Sequence, residues 1–514
     1  MNLDFLTQAG LRLPANVSAQ HVVVDATQWS HSALRMRDLG ARLLTVWGAD
    51  DRDRDGRFRI FAAFLLPDQV LLLEHAPSGG ALGYPSLTRW FPVADRLQRA
   101  VYDLLGMEAD MGDTRPWLRH GGWPEHFFPL RRDADATGPH PLDSRPYPFV
   151  TVSGDGVHEI AVGPVHAGTI EPGHFRFSVV GEKVLRLETR FGYAHKGIAK
   201  RFEGRRLLDG HHLAARISGD STVAYAWAYC AALEAITDAS VPARALALRA
   251  LALERERLAN HLGDLGGLGN DAGLAFSLVQ FSSLKEEMLR LNEEAFGQRY
   301  LFDYVVPGGV VAELDEEVIP ALLDEASRLE QRVAGLRTIY ENHAGVQDRF
   351  RDTGVLSTTL ATARGAVGLV GRASGVAQDL RVDMPWPPYD RLKTRMVLAA
   401  DGDVAARVQL RFDEITESLR LCRSLLDTLP PGACLVALPA ATPNQLGMGL
   451  IEGWRGPVMM ALESTADERI RRCHAHDPSW QNWPLIDYAM IGNIVPDFPL
   501  INKSFNLAYS GIDG

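Results

Sequence analysis

Cysteine is scarce and scattered in this sequence. Its four cysteines, Cys230, Cys422, Cys434 and Cys473, form no C-x-x-C pair. That argues against an autonomous zinc or iron–sulfur site and fits a reducing compartment. No apolar run reaches the roughly 18 residues that a transmembrane helix needs, so membrane contact is expected only through a partner. Positive charge is not in excess. A net charge of −11 gives no support for nucleic-acid binding, which usually needs a basic face. The opening stretch MNLDFLTQAGLRLP has no basic region followed by an apolar block, so no signal peptide is expected. Internal repeats and low-complexity tracts are missing too. What is present is a globular composition, 46% hydrophobic and 23% charged with a mean hydropathy of −0.08. The 514 residues are enough for two or three domains.

Between residues 40 and 75, ARLLTVWGADD, RFRIFAAFLL and QVLLLEHA are split by DRDRDG and other polar turns. This pattern predicts a strand meander with a charged hairpin tip. Leu97, Val101, Leu104 and Leu105 then recur at helical spacing before Gly106, which can stop the helix. Residues 1–133 therefore read as a small α/β domain. Residues 134–148, ADATGPHPLDSRPYP, read as an extended linker. From 149 to 192 the alternation and the Gly/Pro turns predict strands and a hairpin. After Lys196 the chain reads as mostly helical. VPARALALRALALERERLANHLGDLGGL predicts a long helix with Pro242 near its start and a glycine-rich stop. LSTTLATARGAVGLVGRASGVAQDLR is rich in small residues, as where helices pack closely. DGDVAARVQLRFDEITESLRLCRSLLDTL predicts another long helix with an acidic beginning. The last 65 residues return to mixed structure.

Chemistry centres on ARISGDSTVAYAWAYC, residues 215–230. It predicts a helix entered through glycine, with Ser218 and Ser221 three apart on one face. Two cysteines at that spacing would be half of a metal site. Cys230 falls on an apolar helical face and reads as a core residue. CHAH, Cys473–His476, reads as a polar surface or interface segment rather than a metal site. HKG, His195–Gly197, precedes a basic stretch carrying Lys196, Lys200, Arg201, Arg205 and Arg206.

Several stretches together carry a resemblance. FPVADRLQRAVYDLLGM with HFFPLRRD, within 91–133, resembles the 30-kDa subunit of the peripheral arm of respiratory complex I. GPVHAGTIEPGHFRF (163–177), YAHKGIAKRFEG (193–204), LERERLANHLGDLGGLGND (253–271), IEGWRGP (451–457) and GNIVPDFPLINKSFNLAYSGID (492–513) resemble the 49-kDa subunit and the large subunit of group 4 membrane-bound nickel–iron hydrogenases. The fused order is similar to that of the formate hydrogenlyase large subunit. The fold implied is α+β and multidomain. It comprises a 30-kDa-like α/β domain over 1–133, the linker 134–148, and a mainly α-helical hydrogenase-like domain over 149–514 that begins with a β-hairpin or sheet.

Catalytic hydrogenases hold nickel and iron with cysteines in R-x-C-G-x-C and D-P-C-x-x-C segments. The matching positions here are Ser218 and Ser221 in RISGDS, and Ala508 and Gly511 in NLAYSG. Nickel needs soft thiolates there, so the resemblance implies a chain that binds no metal. The histidine usual after the second cysteine corresponds to Tyr225. The chain stops three residues past Gly511, so no cleavable extension is expected. In complex I the same place forms part of a quinone pocket, with a histidine in the hairpin and a tyrosine whose position corresponds to Gly219. The hairpin here keeps His166, Glu171 and His174. Together with Asp220, Arg455 and Asp497, these are the candidate residues of a polar pocket for proton transfer. The bland alternatives are that the histidines only fix the hairpin, that Arg455 and Asp497 form a structural ion pair, and that Ser218 and Ser221 cap their helix.

The function implied is that of a peripheral-arm subunit coupling electron transfer to ion translocation. Its cofactors lie elsewhere: an iron–sulfur cluster in a small partner subunit, and a quinone as the leading candidate acceptor. A ferredoxin-like subunit and antiporter-like and other integral membrane subunits are further expected partners, with the chain on the cytoplasmic side of the membrane and no nucleic acid involved. A redox-inactive scaffold of the same complex is the first alternative. An active hydrogenase large subunit is disfavoured by the four missing cysteines.

Overall fold

The computed structural model describes residues 10–78, 81–135, 146–168 and 170–514. Its first layer is a five-stranded sheet of β1 (Leu11–Arg12), β2 (Ala19–Val24), β3 (Arg42–Asp51), β4 (Arg57–Leu65) and β5 (Val70–His75), in the order β1-β2-β5-β4-β3. β2 and β5 run parallel, and the other neighbours are antiparallel. The charged DRDRDG tip forms a one-turn helix, Arg52–Asp55, between β3 and β4. Helix α1 (Ala26–Asp38) starts at Asp25, whose carboxylate accepts from the Gln28 backbone in a capping box. Helix α2 (Ala94–Leu105) ends at Gly106 in the left-handed conformation, φ 70°, as the sequence predicts. Of the expected linker, residues 136–145 lie outside the described residues. The described residues 134–135 and 146–148 are neither helix nor strand.

The second part begins with an antiparallel sheet of β6 (Val157–Val162), β7 (His174–Val180) and β8 (Lys183–Arg190), in the order β8-β7-β6. The principal helices follow: α3 (Thr222–Ile236), α4 (Ala243–Asp271), α5 (Ala275–Phe296), α6 (Ile319–Asn342) and α7 (Val404–Asp427). A third antiparallel sheet, β9 (Leu446–Gly453), β10 (Gly456–Ser464) and β11 (Ile470–His476), packs against α3. Helices α8 (Ser479–Ala489), α9 (Phe498–Phe505) and α10 (Ser510–Asp513) close the chain. The α+β multidomain class expected from the sequence is the one observed.

α3 is buried along its whole length apart from Ala235, which explains why TVAYAWAYCAALEAI shows no polar face. Cys230 is part of that core. The glycine-rich stop expected for α4 is not a stop, since the helix continues through Gly266, Gly267 and Gly269 to Asp271. The glycines there serve close packing. A Cβ on Gly267 would lie 2.7 Å from Lys503 Cε on α9, and one on Gly269 would meet the hydroxyls of Ser277 and Tyr340. α7 begins at Asp403, whose carboxylate accepts from the Ala406 N–H at 2.8 Å.

Between α4, α7 and β9 lies a buried ionic cluster. Arg372 bonds Glu414 at 2.5 Å and Glu452 at 3.2 Å, and Arg381 bonds Glu254 at 3.0 Å and Asp379 at 2.7 Å. Arg257 and His261 also reach Glu414. Burial and the nearby Asp379 push the Glu452 carboxyl up.

The two parts dock through β3 and β11. Trp47 stacks on His474 with centroids 4.7 Å apart and an interplanar angle of 8°, and Thr45 Oγ1 hydrogen-bonds His474 Nε2 at 2.9 Å. Asp51 accepts from Arg471 and Arg472, each at 2.8 Å. CHAH thus lies at an interface. Among the described residues no group of three or more His, Cys, Asp or Glu could hold a metal.

Candidate functional site

The segment before α3 turns so that Asp220 faces the β9–β10 turn, which carries Trp454 and Arg455. Arg455 grips Asp220 bidentately at 2.7 and 2.5 Å. Its Nε donates to the Asn506 carbonyl at 2.5 Å, and its guanidinium stacks on Trp454 at 3.9 Å from the ring centroid. Ser218 Oγ donates to Asp220 Oδ1 at 2.8 Å. Ser221 Oγ accepts from Arg455 at 3.4 Å. The Asp220 backbone carbonyl is held by Asn260 at 2.7 Å and by the Trp454 indole at 2.8 Å. Burial opposes ionisation of Asp220, but the Arg455 charge outweighs it and keeps the carboxyl below its ordinary value.

One turn into α3, Tyr225 donates to Asp477 Oδ2 at 2.6 Å. Burial and the neighbouring Asp477 push this phenol well above its ordinary value, so it stays a donor. Asp477 Oδ1 accepts from the Ser479 N–H at 2.8 Å. Ser479 Oγ in turn accepts from the Ala508 N–H at 2.9 Å, and the Trp483 indole donates to the Ala508 carbonyl at 3.0 Å. A Cβ on Gly511 would sit 2.6 Å from Asp477 Cγ and 3.0 Å from Ala508 Cβ. The positions 218 and 221 are thus joined through Arg455 to the 506–511 segment, and the Tyr225–Asp477 pair lies against Ala508 and Gly511.

This donor set does not fit a nickel–iron centre. Two neutral hydroxyls, a methyl group and a glycine replace four thiolates. The Asp477 carboxylate stands where a side chain at 511 would project, and the Arg455 cation sits against Ser221 and, through Asp220, against Ser218.

The hairpin places its residues differently from one another. Glu171 Oε2 accepts from the Tyr509 and Ser510 N–H groups at 3.2 and 3.1 Å and from Ser510 Oγ at 3.2 Å, so it anchors α10. His166 Nε2 hydrogen-bonds the Gly173 carbonyl at 2.8 Å, and His174 Nδ1 the Gly163 carbonyl at 3.0 Å. Both rings brace the hairpin. Burial lowers the pKa of His174.

Two structural alternatives drawn from the sequence are corrected. Arg455 does not pair with Asp497. Asp497 bonds Arg349 at 2.9 Å and the Ile494 N–H at 3.2 Å, so it stands apart from the Arg455 group. Nor do the serines cap α3, since Ser221 makes no capping hydrogen bond. Glu256 of α4 does that work, accepting from the Val223 N–H at 2.6 Å and the Ala224 N–H at 3.3 Å. Of the basic stretch, Lys196 turns inward to the Arg216 and Ile217 carbonyls at 2.9 and 2.6 Å. Lys200 pairs with Glu203 at 2.9 Å.

Sequence reasoning missed Asp477, Glu256 and Asp513. Asp513 accepts from the Gly192 and Ala194 N–H groups at 2.8 Å each, and burial pushes its carboxyl up to about 7. Each of the three lies inside or next to a recognisable stretch, but nothing in the spacing marks it as part of the site.

Comparisons with known proteins give the family. Residues 22–140 match the family described as the 30-kDa subunit of respiratory-chain NADH dehydrogenase, and residues 271–448 match its 49-kDa subunit. Formate hydrogenlyase subunit 5 of Escherichia coli (strain K12) is 28% identical over 483 residues, covering 92% of this chain and 85% of that protein. An NADH-quinone oxidoreductase subunit of Dehalococcoides mccartyi is 30% identical over 355 residues, covering 68% of this chain and 97% of that protein. A chain in the structure of the membrane-bound sulfane sulfur reductase, an archaeal respiratory membrane complex, superposes with a TM-score of 0.66 at 25% identity, over 70% of this chain and 99% of that one. The chain belongs to the family of the 49-kDa subunit of respiratory-chain NADH dehydrogenase and its membrane-bound hydrogenase relatives, with a 30-kDa-type region fused in front.

Proposed function

We propose that this chain is the peripheral-arm subunit of a membrane-bound, complex I-like oxidoreductase and that it works without a nickel–iron centre. Electrons arrive from an iron–sulfur cluster in a small partner subunit, fed through a ferredoxin-like subunit. They leave to an acceptor, with a quinone as the leading candidate, and the transfer is coupled to ion movement in antiporter-like and other integral membrane subunits. Among the described residues no helix is long and apolar enough to cross a membrane, so attachment is through those partners, on the cytoplasmic face. Val165 and Ile170 of the hairpin are 90% and 44% exposed, which suits a hairpin tip covered by a neighbouring subunit.

The observation that carries this reading is the Arg455–Asp220 pair, with Tyr225–Asp477 behind it, in place of the four-thiolate set. Asp220 orients Arg455, whose fixed positive charge favours an acceptor that gains negative charge on reduction. Glu171 ties the hairpin to α10 and so holds that wall in place.

Elemental analysis of the purified intact complex, combined with a hydrogen-dependent dye-reduction assay, tests it. No nickel and no hydrogen-dependent reduction are expected. Stoichiometric nickel with hydrogen-dependent dye reduction overturns it. A second reading, a redox-inactive scaffold, draws on the same pairs because they fill the former ligand positions with side chains bonded to one another. It predicts that no quinone reoxidises the partner's cluster.

A further inference from the structure

Next to the Arg455–Asp220 pair a cleft of about 120 Å³ runs between α4, α5 and the 298–301 loop, with Asp220, Glu256, Asn260, Lys285 and Tyr300 in its wall beside the apolar Leu289. That is room for more than one water. Tyr300 is 50% exposed and the Asp220 side chain 40% exposed. Glu256, 6% exposed, lines the same cleft beneath the first turn of α3. Backbone N–H groups at a helix start stabilise an anion, yet burial dominates here and pushes the Glu256 carboxyl up to about 8. Asp220 pushes it the same way, while the N–H groups and Arg257 on its own helix pull against it. From α5, Lys285 faces the cleft with its ammonium pKa lowered by burial, against the pull of Asp264 and Asp220. Arg299 of the outer loop is taken up by Glu286 at 2.6 Å.

We propose that this cleft is the proton entry route to the site and that Glu256 is its carrier. Glu256 takes a proton from bulk water entering past Tyr300 and hands it through the cleft water to the Ser218–Asp220 pair. Asp220 draws the positive charge inward, and the Arg455 charge keeps that carboxylate from retaining the proton. Only O–H bonds form and break, and each water that passes a proton on is left neutral. This rests on the proposed function: a quinone reduced by two electrons takes up two protons, and the cleft supplies them.

The test uses the intact complex carrying Glu256→Gln, whose amide oxygen can still accept from the Val223 N–H and gives up only the longer bond from Ala224, and Glu256→Asp as a second variant. Infrared difference spectra across a pH titration are expected to show a protonated carboxyl band with a midpoint near 8, lost in E256Q. After the partner's cluster is reduced and quinone added, proton uptake followed with an indicator dye is expected to slow at least about tenfold in E256Q, with partial recovery in E256D. A band unchanged by E256Q, or unchanged proton uptake while the cluster is reoxidised normally, overturns the inference and leaves the proposed function standing. If no quinone reoxidises the wild-type cluster, the proposed function fails, and the infrared titration still decides whether Glu256 holds the proton.

Discussion

At the scale of single residues, the site is defined by substitutions that agree with one another. The loss of thiolates at 218, 221, 508 and 511 is legible in the sequence, because each position lies in a recognisable stretch. What replaces them is not legible. Tyr225 and Asp477 are 252 residues apart, and no local pattern announces that they meet. The choice of Asp220 over Asp497 as the partner of Arg455 likewise depends on which turn faces which. The geometry makes restoration of one ligand costly. Gly511→Cys forces a Cβ into the Asp477 carboxylate, so a loss of about 1–3 kcal/mol is expected from overpacking. Denaturant titration of the purified chain checks it. A variant as stable as the parent shows that Asp477 can move aside.

At the scale of elements, two features of α4 decide its position. Its glycine seam reads in sequence as a helix end, since glycine most often terminates helices. Its actual use is to let α5, α6 and α9 approach, which only the assembled bundle reveals. Gly269→Ala ordinarily favours a helix by about 1 kcal/mol. Here its methyl would meet the Ser277 and Tyr340 hydroxyls, so a net loss of about 1–3 kcal/mol is expected. A gain in denaturation midpoint contradicts the packing. The second feature is the ionic cluster. Its members are invisible as a group in sequence because they come from α4, the 372–381 region, α7 and β9. Arg372→Met leaves Glu414 and Glu452 with a missing partner, and breaking a buried pair in this way costs about 3–5 kcal/mol. Thermal unfolding of the variant against wild type reads it, and an unchanged midpoint means that water or another cation compensates.

At the scale of the whole molecule, the mixed α+β class is readable from strand alternation and helical periodicity, and the order of the two parts from the stretches that resemble the 30-kDa and 49-kDa subunits. Their docking is not, because β3 and β11 lie more than 400 residues apart in sequence, as the Thr45–His474 separation of 429 shows. That interface is expected to be acid-sensitive. Burial pushes His474 down to about 3, against about 6.5 in an unfolded chain. The unfolded state therefore binds the extra proton below about pH 6.5. The stabilisation from neutral His474 is full above about 6.5 and is lost as pH falls from there toward about 3. His474→Phe keeps a ring against Trp47 and removes this part of the acid slope. Stability-versus-pH curves for the two proteins should converge in shape above about pH 6.5 and differ below it, and parallel curves throughout contradict the assignment.

The most direct test of a metal-free subunit that passes electrons onward is reoxidation of the partner's reduced iron–sulfur cluster in the intact complex, followed by electron paramagnetic resonance on samples analysed for nickel. The expected result is reoxidation on adding a quinone, in samples without nickel, and slowed in Arg455→Met. Reoxidation that scales with nickel content, or a cluster that stays reduced in the presence of quinone, contradicts it.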